Sequence, residues 1–392
     1  MPHWRSVRAF AMALMVAGCA AATPREPFTA SEASIAEVPG FPAVRYWADA
    51  VSPALRKAAE ARLREERKLV GREFNWLMIS GGGDEGAFGA GVLYGLSEAG
   101  RRPEFGIVTG VSTGALIAPY AFLGRAYDDQ LREVYTSIDK NDILRARALA
   151  GLLGGESLAD TTPLQGLVAR QVTPELLEAI AREHRTGRRL LVVTTNLDAQ
   201  RPVMWDMGAI AQHGGPESVE LFRKVLLASA SIPALFPPVM IDAAAGGRTI
   251  AEMHVDGGTT MQVFTIPMGT EEYAQRLRAS GRPRNIYVVM NTRLRPEFQL
   301  VERSTLPIAR RSLSTLTKSS GVDSLRIYRD FAQRTHTGFK VAFIDQDFTN
   351  TKPGPFDRQY MNDLFEYGRE KSRAGAAWHT QLVAGEPASP QD

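Results

Sequence analysis

The sequence predicts an α/β fold, and three observations carry that prediction. From residue 74 onward, short apolar runs alternate with longer stretches of helix-forming composition. Two of the runs, Leu190-Leu191-Val192-Val193 and Ile286-Tyr287-Val288-Val289-Met290, lack the polar alternation of a half-exposed strand and suit strands covered on both faces. Twice, an apolar run passes directly into a glycine loop and then into a helix.

In chain order, the N-terminus places Arg5 and Arg8 around the start of an apolar stretch, residues 9–17, that is too short to span a bilayer. Residues 1–18 therefore read as a signal peptide. The stretch ends in Val16-Ala17-Gly18-Cys19, similar to a bacterial lipobox, in which cleavage before the cysteine leaves a lipid-modified N-terminus. Ala20 in place of an aspartate resembles the outer-membrane sorting pattern. The expected location is thus the bacterial cell envelope, anchored to the membrane by a lipid on Cys19; an ordinary secretory peptide with an incidental cysteine is the alternative. Cys19 is the single cysteine, which excludes an internal disulfide and a cysteine nucleophile in the body.

Residues 19–50 are rich in Ala, Thr, Pro, Ser and Glu without a helical or strand period, and read as a tether. Ser52-Pro53 offers an N-cap with proline at the first helical position, opening a helix over 54–70 that Gly71 ends. Its charge run from Arg62 to Lys68 reads as a solvated face, with a membrane-facing role as the alternative. Strands are expected over 74–80, 105–109, 189–195, 202–207, 237–242, 250–255, 285–291 and 339–344. Helices are expected over 86–99, 113–123, 128–137, 163–185, 217–230, 305–334 and 357–380. No segment repeats another and no long polar linker divides the body, so residues 51–384 read as one domain, followed by a disordered tail over 385–392.

Composition narrows the function classes. A chain of 392 residues, 44% hydrophobic and 23% charged, can bury a large core. Its 46 basic residues barely outnumber 43 acidic ones, and a net charge of +3 with no basic stripe among aromatics argues against nucleic acid while leaving an anionic lipid surface open. No acidic loop has a calcium-binding pattern, and His184, His213, His336 and His379 are scattered without metal-ligand spacing, so no metal is expected. Oligomeric state is not legible at this level.

The chemistry lies in three glycine-containing motifs. Gly81-Gly82-Gly83-Asp84-Glu85-Gly86 can present backbone N–H groups to a developing oxyanion, and Gly110-Val111-Ser112-Thr113-Gly114 can hold a serine on a sharp strand-to-helix turn. The flanking sequence fits that turn, because Phe105-Gly106-Ile107-Val108-Thr109 reads as a strand and residues 115–123 as an apolar helix. Asp256-Gly257-Gly258 places a carboxylate at a strand end, where the two glycines let the backbone turn away.

In order and spacing, over roughly residues 74–260, these motifs resemble the patatin-like phospholipase family, as does the apolar block Ala228-Ser229-Ala230-Ser231-Ile232-Pro233-Ala234-Leu235-Phe236-Pro237-Pro238 ahead of the aspartate. The resemblance implies a three-layer α/β/α sandwich with a mostly parallel central sheet. It also implies a Ser–Asp dyad, with Ser112 as nucleophile, Asp256 as its base and no histidine between them. Gly81, Gly82, Gly83 and Gly86 would form the oxyanion loop, and Gly110, Gly114, Gly257 and Gly258 would shape the two turns. The implied activity is hydrolysis of carboxylic esters in membrane lipids, with no cofactor. One departure is Asp84-Glu85, where many relatives carry Arg or Lys: the carboxylates would repel an anionic head group, favour a zwitterionic or neutral ester, or serve the dipole of the following helix.

Other readings compete with these. Gly81-x-Gly83-x-x-Gly86 also fits a dinucleotide fingerprint, but the acidic residue expected about 20 positions on is missing, since the chain there reads Gly100-Arg101-Arg102-Pro103. A catalytically silent lipid-binding lipoprotein would keep the same motifs. His254 shares the face of Asp256 on an extended strand and is expected beside the site rather than as its base. Asp198 and Asp206 are expected to be structural, and Ser231 to be a helix-end residue. Gly89, Gly91 and Gly95 are expected to let their helix approach the sheet closely.

Overall fold

The computed structural model describes residues 25–53, 56–57, 73–143, 145–146, 157, 159–264, 275, 277–279 and 281–381. The expected leader, Cys19, nearly all of the helix expected over 54–70 and the tail expected over 385–392 lie outside the described residues.

The strands are β1 (Arg45–Trp47), β2 (Phe74–Ile79), β3 (Phe105–Val111), β4 (Arg145–Ala146), β5 (Ala159–Asp160), β6 (Arg189–Asn196), β7 (Arg201–Asp206), β8 (Val239–Ala245), β9 (Arg248–Asp256), β10 (Arg284–Met290) and β11 (Gly338–Phe343). The helices are α1 (Ala30–Ile35), α2 (Gly86–Glu98), α3 (Thr113–Leu123), α4 (Asp128–Thr136), α5 (Lys140–Ile143), α6 (Thr162–Gln171), α7 (Pro174–Arg185), α8 (Met207–His213), α9 (Gly215–Ser229), α10 (Thr305–Thr335) and α11 (Arg358–Ala374).

Five strands run parallel in the order β6-β3-β2-β10-β11 and form the centre of a nine-stranded sheet. Their fully apolar runs follow from burial on both faces: all six residues of β2 are buried. Successive side chains feed two cores. Leu77, Ile79 and Val289 point to one core with α2, α3, α4, α6, α7, α8, α9 and α11. Trp76, Met78, Val288 and Met290 point to the other, closed by Leu325, Phe331 and Ala332 of α10. The result is the expected helix–sheet–helix layering.

The other four strands of this sheet, β1, β7, β8 and β9, are antiparallel additions, and one of them places a carboxylate, while β4 and β5 pair with each other in a separate two-stranded sheet. β3 pairs with the first part of β6, ending at Val111 opposite Val193. From the next residue onward β9 pairs with β6, beginning with Asp256 opposite Thr194. β9 thus takes up the pairing edge of β6 that β3 vacates, and its last residue meets the first residue of the turn after β3.

Four expectations need correction. Residues 25–50 are no tether: α1 carries a full capping box between Thr29 and Glu32, β1 pairs with β7, and Val38, Phe41 and Val44 enter the core. Their low periodicity reflects short elements that borrow their pairing from the sheet. The helix expected over 163–185 is two helices, because Thr173 accepts from Leu176 N–H and Pro174 starts a new helix. The last helix ends at Gly375, with φ 81°, and not near 380. Gly91 and Gly95 face α11 rather than the sheet: a Cβ on Gly91 would lie 2.0 Å from the Phe365 carbonyl oxygen, and one on Gly95 2.2 Å from that of Arg369. Only Gly89 faces the sheet, at Val289 and Asn291.

Candidate active site

Three adjacent parallel strands, β3, β2 and β10, end side by side, and each hands a functional segment to this edge. After β3, a single residue separates strand from helix. That residue is Ser112, held at φ 55° and ψ −125°, a region that L residues rarely adopt. The turn is that tight because its glycines leave no room: a Cβ on Gly110 would sit 2.3 Å from the Gly114 carbonyl oxygen, and one on Gly114 2.3 Å from that of Ile79. The Ser112 N–H donates to Ser229 Oγ at 3.0 Å, and Ser229 Oγ donates to the Val193 carbonyl at 2.7 Å, which pins the elbow to α9 and β6.

Ser112 Oγ donates to Asp256 Oδ2 at 2.5 Å, across 144 positions of sequence. The second carboxylate oxygen, Oδ1, accepts from Gly258 N–H at 2.7 Å. The aspartate backbone is fixed from both ends, its N–H donating to the Ser231 carbonyl at 2.9 Å and its carbonyl accepting from Thr195 Oγ at 3.0 Å. Gly257 is required because a Cβ there would approach the Val193 carbonyl oxygen to 2.4 Å. Burial pushes the Asp256 carboxyl up to about 7, against the hydrogen bonds from Ser112 and Gly258, which stabilise the anion.

The glycine loop follows β2. Gly81 lies against the serine, since a Cβ added to it would be 3.1 Å from Ser112 Cβ and 3.8 Å from Oγ. Among the described residues, no acceptor takes the amide hydrogens of Gly81, Gly82 or Gly83. Gly83 has φ 62°, in the left-handed region, and a Cβ on Gly82 would lie 2.1 Å from the Asn291 carbonyl oxygen. Asn291, just past the end of β10, supports the loop with its side chain, donating to the Ser80 carbonyl at 2.9 Å and accepting from Gly89 N–H at 3.0 Å. Gly86 lets α2 abut the elbow, because a Cβ there would sit 2.2 Å from Thr113 Oγ.

The acidic pair after the triplet resolves into two roles. Asp84 is buried, accepts from Phe356 N–H at 2.7 Å and pairs with Lys352, so it ties the loop to the segment before α11. Glu85 stands at the N-terminus of α2, where burial pushes its carboxyl up to about 7 against the opposing charge of Lys352.

His254 is fully buried and turned to other partners, Thr194 Oγ at 2.9 Å and Glu252 at 3.4 Å. Burial holds its imidazole below the usual range, against the pull of Glu252. Asp198 accepts from Arg25 and from Met253 N–H, Asp206 caps α8, and Ser231 Oγ donates to the Leu227 carbonyl at 2.8 Å, all structural as expected. The dinucleotide reading fails on position, because the end of the second strand carries Ser112 where an acidic residue is needed. Sequence reasoning missed Ser229 and Asn291; a polar residue ending an apolar parallel strand was the available signal for Asn291 alone.

Residues 77–267 match the model of a family described as patatin-like phospholipase. No curated protein matches the chain. Among solved structures it is similar to VipD from Legionella pneumophila, with 11% identity and a TM-score of 0.36 over 79% of this chain and 68% of that one. It is also similar to the type III effector protein ExoU, with 13% identity and a TM-score of 0.22 over 78% of this chain and 54%, about half, of that one.

Proposed function

The chain carries a patatin-like phospholipase domain over residues 77–267, and from that premise we propose that it is a lipid acyl hydrolase using Ser112 as nucleophile and Asp256 as base. The observation that carries the reading is the 2.5 Å hydrogen bond from Ser112 Oγ to Asp256 Oδ2, with the backbone of Gly81 alongside. As Oγ attacks the acyl carbonyl, its proton passes to Asp256 Oδ2 and the carbonyl oxygen gains negative charge. The amides of Gly81, Gly82 and Gly83 receive that charge, a contribution worth about 3 kcal/mol per donor in such sites. Collapse breaks the ester C–O bond, Asp256 returns the proton to the leaving alcohol, and an acyl group remains on Ser112. Water then repeats the sequence, giving up its proton to Asp256 and releasing the fatty acid with Ser112 restored.

A carboxylate with an ordinary pKa is a poor base for an alcohol. Burial of Asp256 raises its basicity toward neutrality, near the optimum for proton transfer at physiological pH. The substrate is an ester of a membrane lipid, and the N-terminal lipid on Cys19 would hold the domain at the bacterial envelope beside it. The deciding experiment is hydrolysis of a p-nitrophenyl ester by the purified chain. Activity should fall by about 10³-fold or more in both Ser112→Ala and Asp256→Ala. Unchanged turnover in Ser112→Ala refutes the reading, and an inert wild-type chain that still binds lipid would favour a silent lipid-binding protein.

A further inference from the structure

We propose that residues 292–303 together with the N-terminal half of α10 form a surface that docks the mouth of the site onto an anionic lipid bilayer. The choice of occupant rests on the lipid hydrolase reading; the surface itself is argued from position, exposure and charge.

The loop begins immediately after Asn291, whose carbonyl oxygen and side chain brace Gly82, Ser80 and Gly89, so it leaves the sheet at the edge that carries Ser112. α10 passes the same edge: a Cβ on Gly321 would lie 3.1 Å from Met290 Cε and 3.5 Å from Gln262 Cβ. Gln262 in turn donates to the Gly258 carbonyl at 3.2 Å and lies 3.2 Å from where a Cβ on Gly81 would be. From Gly321 onward the helix is anchored in the core by Leu325, Phe331 and Ala332. Before Gly321 none of its described side chains is buried.

Exposure follows. Phe298 is 97% exposed and Leu300 87%, and on the helix Ile308 and Leu316 are 50% and 68% exposed. Ile308 and Leu316, eight residues apart, share one side of the helix. These side chains are held in presentation. Lys318 pairs with Glu297 at 2.7 Å and donates to the Arg295 carbonyl at 3.1 Å, and Arg311 donates to Gln299 Oε1 at 3.4 Å, so the loop is strapped to the helix.

Charge selects the occupant. Residues 293–318 carry six basic and two acidic side chains. Arg293 and Lys318 share Glu297, while Arg295, Arg303 and Arg310 have no acidic partner among the described residues. Separate apolar plugs set among arginines without acidic partners fit a fluid apolar layer under an anionic surface better than a contoured protein partner. Docking here would bring the ester of a lipid to the edge where Ser112 stands.

The chain has one cysteine, so Cys19→Ser gives a full-length background in which an added thiol is unique. In that background, Phe298→Cys would be labelled with an environment-sensitive nitrobenzoxadiazole dye and mixed with vesicles of phosphatidylglycerol and phosphatidylethanolamine. Thr186→Cys, an exposed position just ahead of β6 and so at the opposite edge of the sheet, is the control. The expected result is a blue shift and brightening at position 298 and none at 186. No shift at 298, an equal shift at both, or a concentration-dependent shift without vesicles, which would mark contact with a second copy, overturns the proposal. As a second arm, Phe298→Ser with Leu300→Ser should lower hydrolysis of vesicle phospholipid by about tenfold or more while leaving a soluble ester unaffected. An equal loss on both substrates also overturns it. If wild-type protein cleaves neither substrate, the hydrolase reading falls on its own, whatever the dye reports.

Discussion

At Asp256 stability and reactivity pull in opposite directions. The folded protein holds the proton on this buried carboxyl up to about pH 7, whereas a carboxyl in the unfolded chain releases it near pH 4. Between those values the native state binds the extra proton, so the contribution to stability is full below about pH 4 and is lost as pH rises through about 7. Asp256→Asn keeps the side-chain shape and does not titrate. Its melting temperature relative to wild type should therefore climb between pH 4 and pH 8, and a difference that stays flat contradicts the burial argument. Ser112 shows the same tension in its backbone, with φ 55° held by surrounding contacts at a cost of about 1–3 kcal/mol. Both residues were legible in the sequence because Ser112 lies between Gly110 and Gly114 and Asp256 is followed by Gly257 and Gly258, glycines that mark where the chain must turn sharply. Ser229 was not, because its role is a bridge from Ser112 N–H to the Val193 carbonyl, which exists only once α9 and β6 pack together.

Among the elements, α2 and α11 are the pair most dependent on missing side chains. Gly91 and Gly95 admit the backbone of α11, and Gly368 returns the fit, since a Cβ there would lie 2.5 Å from the Phe88 carbonyl oxygen. Gly91→Ala should destabilise the fold by about 1–3 kcal/mol in urea denaturation, because overpacking against backbone exceeds the roughly 1 kcal/mol gain in helix propensity. A stabilised Gly91→Ala protein would show that α11 can retreat. The sequence revealed that α2 is a helix with a small-residue face but not which neighbour that face meets, since the contact with α11 spans 274 positions between Gly91 and Phe365. The break between α6 and α7 was written in Thr173-Pro174, a cap and a helix-starting proline, and was hidden by the apolar periodicity that continues across it.

For the whole molecule, residues 25–50 are part of the fold. Arg45 of β1 forms a buried ion pair with Glu252 of β9, the strand that ends in Asp256. Burial would push the Glu252 carboxyl up, but the hydrogen bonds from His254 and Arg45 more than offset this and hold it below the usual range. Arg45→Ala leaves that carboxylate buried and short of a partner, and should cost about 3–5 kcal/mol in unfolding free energy. A loss under 1 kcal/mol would mean that residues 25–50 are dispensable to the body. The α/β class and the central strands were readable from apolar runs alone. The edge strand β1 was not, because it spans three residues and takes its register from β7.

A nucleophilic serine must carry the acyl group covalently during turnover. Intact-mass and peptide-mapping measurements after brief mixing of the full chain with a slowly deacylating p-nitrophenyl ester test it most directly. The expected result is a single acyl adduct on the peptide bearing Ser112, absent in Ser112→Ala and slow to form in Asp256→Asn. An adduct on another residue, or turnover that persists in Ser112→Ala, would contradict it.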